Sequence, residues 1–228
     1  MQNQPMENPF APGGIPSAVP LPLRDGINPF VRRTYTVFVL SLVGICASGF
    51  LSYALLPRSA FLPLAIADGL MWVACGWFGW RRPVLVVLPL FSLITGLFLG
   101  QVAHHSTQAF LLASILSLVT FTGLTFYVHL TRKNFSFLSG FLCVSFFILL
   151  AGSLLGIFFR WPWLHLGMAA FGTLVFASWI LYDTSQVLER VDDQLTPEVA
   201  AFDLILDIVG LHSWLLDLLG EFGLDPRD

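Results

Sequence analysis

Five aspartates stand out in this chain because of what surrounds them: Asp68, Asp183, Asp203, Asp207 and Asp217 all lie within long stretches that hold no lysine or arginine. A carboxylate placed in an apolar helix costs at least about 2.5 kcal/mol at the centre of a bilayer, so such a residue is a functional candidate by default. Asp183 lies five residues before Leu188, where one stretch ends, and Asp207 eight residues after Val199, where the next begins. The polar loop Glu189–Glu198 joins the two stretches, and position 195, midway between the aspartates, falls inside it. Two antiparallel helices would therefore hold both carboxyls at similar depth, roughly 8–12 Å below the surface. Two buried carboxylates with no local cation cannot both ionise cheaply, so the pair titrates as a unit. It could serve as an acid/base pair, a proton switch or part of a cation site. Calcium takes six to eight oxygens, so two aspartates with carbonyls and water would give a weak, transient metal site, better suited to passage than storage. Protonation would compete with the cation, and pH control follows from the same chemistry.

The other acids are accessory. Asp203 sits one turn before Asp207 on the same face and reads either as a third ligand or as a solvated acid at headgroup level. Asp68 and Asp217 are expected near interfaces or beside polar neighbours. Tyr182 adjoins Asp183. His104 and His105 are expected in a solvated loop, and His129, His165 and His212 in packing or interface roles. Cys46, Cys75 and Cys143 show no CxxC pairing and no Cys/His cluster, which argues against a disulfide framework or a zinc site.

The elements that must position these residues are membrane helices. Of 228 residues, 56% are hydrophobic and only 11% charged, against about 25% charged in a soluble domain. That excludes a soluble globular domain and a disordered chain. The net charge of −3, with no basic block, excludes a nucleic-acid binder. Seven apolar segments follow one another: Thr34–Leu56, Phe61–Trp80, Pro83–Ala103, Thr107–Leu130, Phe135–Phe159, Trp163–Leu188 and Val199–Leu219. Each has about the 20 residues needed to cross hydrocarbon. The last carries three aspartates, so it must sit inside the bundle or enter and leave on one side. The expected organisation is a Pro-rich flexible tail over residues 1–30, a seven-helix domain over 31–220, and a short polar tail over 221–228. The tail holds seven of the fourteen prolines and lacks the pattern of a cleaved signal peptide.

Orientation follows the basic residues. With a cytoplasmic N-terminus, the inside collects Arg24, Arg32, Arg33, Arg81, Arg82, Arg132, Lys133 and Arg190, and the outside Arg58, Arg160 and Arg227. Trp161 and Trp163 suit the outer interface, Trp77 and Trp80 the inner one. Gly96-xxx-Gly100 and Gly152-xxx-Gly156 predict close helix contacts.

Several stretches carry a resemblance to a known family. Phe30-Val-Arg-Arg-Thr-Tyr35, Leu124-Thr-Phe-Tyr-Val-His-Leu-Thr-Arg-Lys-Asn-Phe-Ser136, Phe176-Ala-Ser-Trp-Ile-Leu-Tyr-Asp-Thr184 and the pattern from Ala201 through Asp207 to Leu211 are similar to signatures of the Bax inhibitor-1, or transmembrane Bax inhibitor motif, family. The resemblance covers residues 30–220 and suggests a bacterial member. It implies an all-α polytopic membrane protein in which six helices pack around a central C-terminal seventh. It also implies a calcium leak governed by a pH-sensing aspartate pair, whose positions Asp183 and Asp207 match, with calcium as the permeant ion and no cofactor. The chain departs from the pattern in places. Asn134 stands where the family usually has Asp, Gly210 where it has Asn, and His212 where it has an aromatic residue. The second helix lacks the arginine that latches the pair in some members.

Two other classes fit parts of this pattern. An intramembrane aspartyl protease would use Tyr182-Asp183, but its second half, Gly-x-Gly-Asp, is missing before Asp207, where Leu204-Ile205-Leu206 stands; the chain is not expected to be an enzyme. A regulatory protein that modulates a membrane protease or a stress response, working through a membrane-protein partner, is the alternative to a leak. The short loops suggest a bacterial inner membrane.

Overall fold

The computed structural model describes residues 28–78, 84–159, 161–189 and 195–224. Among them are seven helices long and apolar enough to cross a membrane, and no strand. They are α1 (Pro29–Leu55), α2 (Phe61–Phe78), α3 (Val84–His105), α4 (Thr107–Thr131), α5 (Ser139–Phe158), α6 (Pro162–Glu189) and α7 (Pro197–Leu219). The chain is an integral, multi-pass all-α membrane protein. Residues 1–27 of the expected tail lie outside the described residues, as do Trp80, Arg81, Arg82, Arg160, Arg190, Arg227 and the side chain of Trp77.

Two helices begin earlier than hydropathy suggests, because capping chemistry sets their starts. Asn28 accepts a hydrogen bond from the Phe30 N–H at 3.0 Å through Oδ1, and Pro29 occupies the first turn, where its missing donor does no harm. α1 therefore takes in Arg32 and Arg33. At α7, Thr196 accepts from the Val199 N–H at 3.3 Å and Pro197 follows it. α3 runs through His105, leaving only Ser106 before α4. This corrects the expectation of a solvated histidine loop. His104 stacks on Tyr53 with ring centroids 4.2 Å apart, and His105 meets the edge of Phe61 at 4.7 Å. The loop is thus replaced by helix, with His104 partly buried and His105 still exposed.

α7 is the core of the bundle. Phe202, Leu204, Ile205 and Leu211 are fully buried, and the helix is by far the most enclosed of the seven. It packs against α1, α3, α4 and α6. α2 packs on α3 and α5 on α6, so the expected ring of six around a seventh is a ring of four with two outer helices. The outer two carry bulky residues such as Leu70, Val73, Phe146 and Phe147 on exposed faces. Lipid solvates those side chains as well as protein does, so nothing draws them inward.

The inner helices meet on small and polar residues. Thr34, Phe38, Ser41, Ile45, Ser48 and Ser52 form the buried stripe of α1 at heptad spacing. Opposite them, Gly96 and Gly100 of α3 let the backbones touch. A Cβ at Gly100 would fall 2.2 Å from the Gly49 carbonyl oxygen, and one at Gly96 2.4 Å from that of Ile45. Gln101 completes the seam by donating to Ser52 Oγ at 3.0 Å. Gly152 and Gly156 receive Met168 and His165 of α6, so both predicted glycine pairs lie at helix contacts.

Candidate functional site

The antiparallel α6–α7 pair brings Asp183 and Asp207 together, with the two carboxyls within hydrogen-bonding reach of each other. The seam is tightened further along by glycines. Gly172 leaves room for the ring of Trp214, and Gly210 for that of Phe176. Gly210 is thus a packing residue, where an asparagine would collide with Phe176. Asp207 is 4% exposed, and its Oδ2 is buried without a hydrogen-bond partner. Asp183 is half-buried, with fully enclosed Thr184 and Ser185 next to it.

Asp203 is half-buried and within electrostatic reach of both carboxyls. Among the described residues no group of three or more His, Cys, Asp or Glu side chains is arranged to hold a metal ion. The Tyr182 ring meets Trp179 edge-on at 5.9 Å and joins the cluster around Leu142, Leu149 and Val175.

The remaining candidates are scattered. Asp68 is 7% exposed at the α2–α3 contact, and Thr95 donates to its Oδ1 at 2.6 Å; it pairs with polar neighbours rather than standing at an interface. Asp217 lines a cavity of about 340 Å3 with His165 and Glu221 at the far end of α7. His129 lies 2.9 Å from the Thr125 carbonyl through Nδ1 and packs on Tyr35, and His212 lies 3.1 Å from Ser114 through Nε2.

One feature beside the pair escapes sequence reasoning. The α4–α5 turn is tied to the end of α6: Asn134 donates through Nδ2 to Glu189, and the Phe135 N–H donates to Ser185 Oγ at 3.3 Å. Asn134 also accepts from the Ser136 N–H at 2.6 Å. An ionised aspartate at 134 could not donate to Glu189, so the departure at this position has a local partner. The N-terminus of α7 is fixed in turn by an ion pair, Arg33–Glu198 at 2.6 Å.

Comparison with known proteins finds relatives that match along much of the chain. Protein lifeguard 3 of Homo sapiens is 26% identical over 205 residues, covering 86% of this chain and 60% of its own length. An uncharacterized protein of Campylobacter jejuni is 28% identical over 207 residues, covering 85% of this chain and 88% of its own. Bax inhibitor 1 of Schizosaccharomyces pombe is 34% identical over 140 residues, covering 59% of this chain and 51% of its own. The chain thus spans about half to three fifths of two of these relatives and most of the third. The profile of the family described as Inhibitor of apoptosis-promoting Bax1 matches residues 27–223, which include all seven helices, and the chain belongs to this Bax inhibitor-1 family.

Proposed function

We propose that the protein is a pH-sensitive, calcium-permeable leak in which Asp183 and Asp207 hold the passing ion and exchange it for protons. The observation that carries this reading is the unpartnered, buried Oδ2 of Asp207 beside the Asp183 carboxyl. A buried polar atom without a partner needs an explanation, and a visiting cation or proton supplies one. Calcium needs more oxygens than the pair offers, which suits weak, brief occupancy. Each carboxyl attracts the cation only while charged, so protons and calcium compete for the same place. α2 has no arginine to latch the pair; Asp68 takes that helix's buried polar position and turns to Thr95.

Purified protein in liposomes loaded with a calcium-sensitive dye tests the reading. Wild type should conduct above empty liposomes, and the calcium concentration for half-maximal flux should rise as pH falls. Asp183→Asn and Asp207→Asn, singly and together, should cut the flux about tenfold or more and flatten its pH dependence. Unchanged flux and pH response in the double variant would sink the mechanism.

The second reading is a regulatory membrane protein acting on a membrane-protein partner. The family's description as an inhibitor favours it. Wild-type liposomes without flux would turn the balance, and dependence of a cellular phenotype on residues 1–27 or the loops, rather than on the aspartates, would support it. For either reading the proposed setting is a bacterial inner membrane with the N-terminus in the cytoplasm.

A further inference from the structure

The rim of the bundle where α1 begins and α4 ends carries four exposed cations, Arg32, Arg33, Arg132 and Lys133. The carboxylates described near it already have partners. Glu198 pairs with Arg33 at 2.6 Å, and Glu189 accepts a hydrogen bond from Asn134. Among the described residues Arg32, Arg132 and Lys133 form no ion pair.

Below that rim α1 and α4 touch through rings. Tyr35 meets His129 with centroids 5.6 Å apart, and Phe38 stacks on Phe121 at 4.9 Å. The two helices run antiparallel. Arg32, three residues before Tyr35, and Arg132, three after His129, therefore both stand about 4.5 Å further out over the same seam. Arg132 is the only non-glycine residue with a positive φ, 50°, among the described residues. It caps α4 in the left-handed region that glycine adopts without strain. Its Nε donates to the His129 carbonyl at 3.2 Å, so the side chain lies back along α4 toward the contact with Tyr35. On the hydrocarbon side of the seam, Val39 and Val43 of α1 and Val119 and Phe126 of α4 are exposed. Val39 and Val43 follow Arg32 on one helix face, and Val119 and Phe126 share the face of α4 beside His129.

We propose that Arg32 and Arg132 together hold the phosphate of an anionic phospholipid whose acyl chains run down the exposed faces of α1 and α4 beside the seam. Guanidinium groups match phosphate in geometry and charge. Basic residues between membrane helices at headgroup level are where acidic lipid headgroups dock. A soluble anion would find the charges but leave the apolar faces unused. A zwitterionic phospholipid would bring its own ammonium group into a patch that already holds Lys133. A lipid with net negative charge meets both requirements. The site uses neither Asp183 nor Asp207, so its test does not depend on the proposed leak.

The full-length protein in phosphatidylcholine vesicles can be photolabelled with a trace of phosphatidylglycerol carrying a diazirine in one acyl chain. Parallel vesicles carry phosphatidylcholine with the same chain. Phosphatidylglycerol should label residues 36–43 and 119–130 about twentyfold more strongly, from about fivefold for each arginine near the surface. Unlabelled phosphatidylglycerol should displace it. Arg32→Gln and Arg132→Gln should each lower the labelling about fivefold, and together bring it to the level of phosphatidylcholine. Arg33→Gln makes the same change in charge at a cation already paired with Glu198, and should leave labelling in place. Equal labelling by the two lipids, or the same loss in Arg33→Gln as in Arg32→Gln, would overturn the proposal and leave the rim as a diffuse basic surface. Displacement by glycerol phosphate as effective as by phosphatidylglycerol would also overturn it, because the ligand would then be a free anion.

Discussion

Asp68 and Asp207 show how two buried carboxyls in one bundle differ in use. Asp68 is satisfied across a helix contact: the hydroxyl of Thr95 donates to it at 2.6 Å, which ties α2 to α3. Asp207 leaves an oxygen without a partner beside a second acid. The first arrangement is complete within the protein, whereas in the function proposed above the second is completed by a mobile ligand. Thr95→Val should therefore lower stability by about 1 kcal/mol, the scale of an interhelical hydrogen bond in a membrane, as measured by SDS unfolding in mixed micelles. It should leave the calcium dependence of flux in place. A change in flux as large as that of Asp207→Asn would instead give Asp68 a part in conduction. His212 makes a ring contact with Phe110 at 4.9 Å, and its Nε2 lies 3.1 Å from Ser114.

Among the elements, the α1–α3 seam is the most extensive contact in the molecule. It depends on the absence of side chains. A methyl group at Gly100 would meet backbone rather than a flexible chain end, so the helices would have to part. Gly100→Ala should destabilise the protein by about 1–3 kcal/mol, read as a lowered midpoint in thermal or SDS unfolding. Gly69→Ala is the control: nothing lies within 4 Å of a Cβ there, and the substitution should be neutral or slightly stabilising. Equal effects at the two sites would mean that the seam is looser than described. At α7 the capping Thr196 and the Arg33–Glu198 pair fix the start of the helix. Arg33 is well exposed, so Glu198→Gln should cost no more than about 1 kcal/mol, with the loss reduced further at high salt.

In the whole molecule, α7 is one unbroken helix of 23 residues, about 34 Å long, enclosed by four others. It holds Asp203 and Asp207 within the bundle because protein, not lipid, surrounds most of it, whereas Asp217 is exposed near its C-terminal end. Seven crossings would put the two ends of the chain on opposite sides. Cysteine or epitope tags at Met1 and at Asp228 should therefore react from opposite faces of intact vesicles. Reaction of both from one face would mean that α7 re-enters rather than crosses.

The number of helices, their approximate limits and the pairing of Asp183 with Asp207 were legible in the sequence, because apolar length, helix rise and antiparallel connection are local properties. The four-helix ring around α7, the outer placement of α2 and α5, and the clasp from Asn134 to Glu189 were not. In a bilayer the solvent is as apolar as the core, so hydropathy fails to separate a buried face from an exposed one. The buried stripe of α1 is the one rich in threonine and serine, while Leu40 and Phe50 face outward. The sequence by itself determined a seven-helix membrane protein with two acids at one depth. Only the tertiary structure decided which helices enclose them and left one oxygen of Asp207 without a partner, because both depend on how side chains from distant segments fit together.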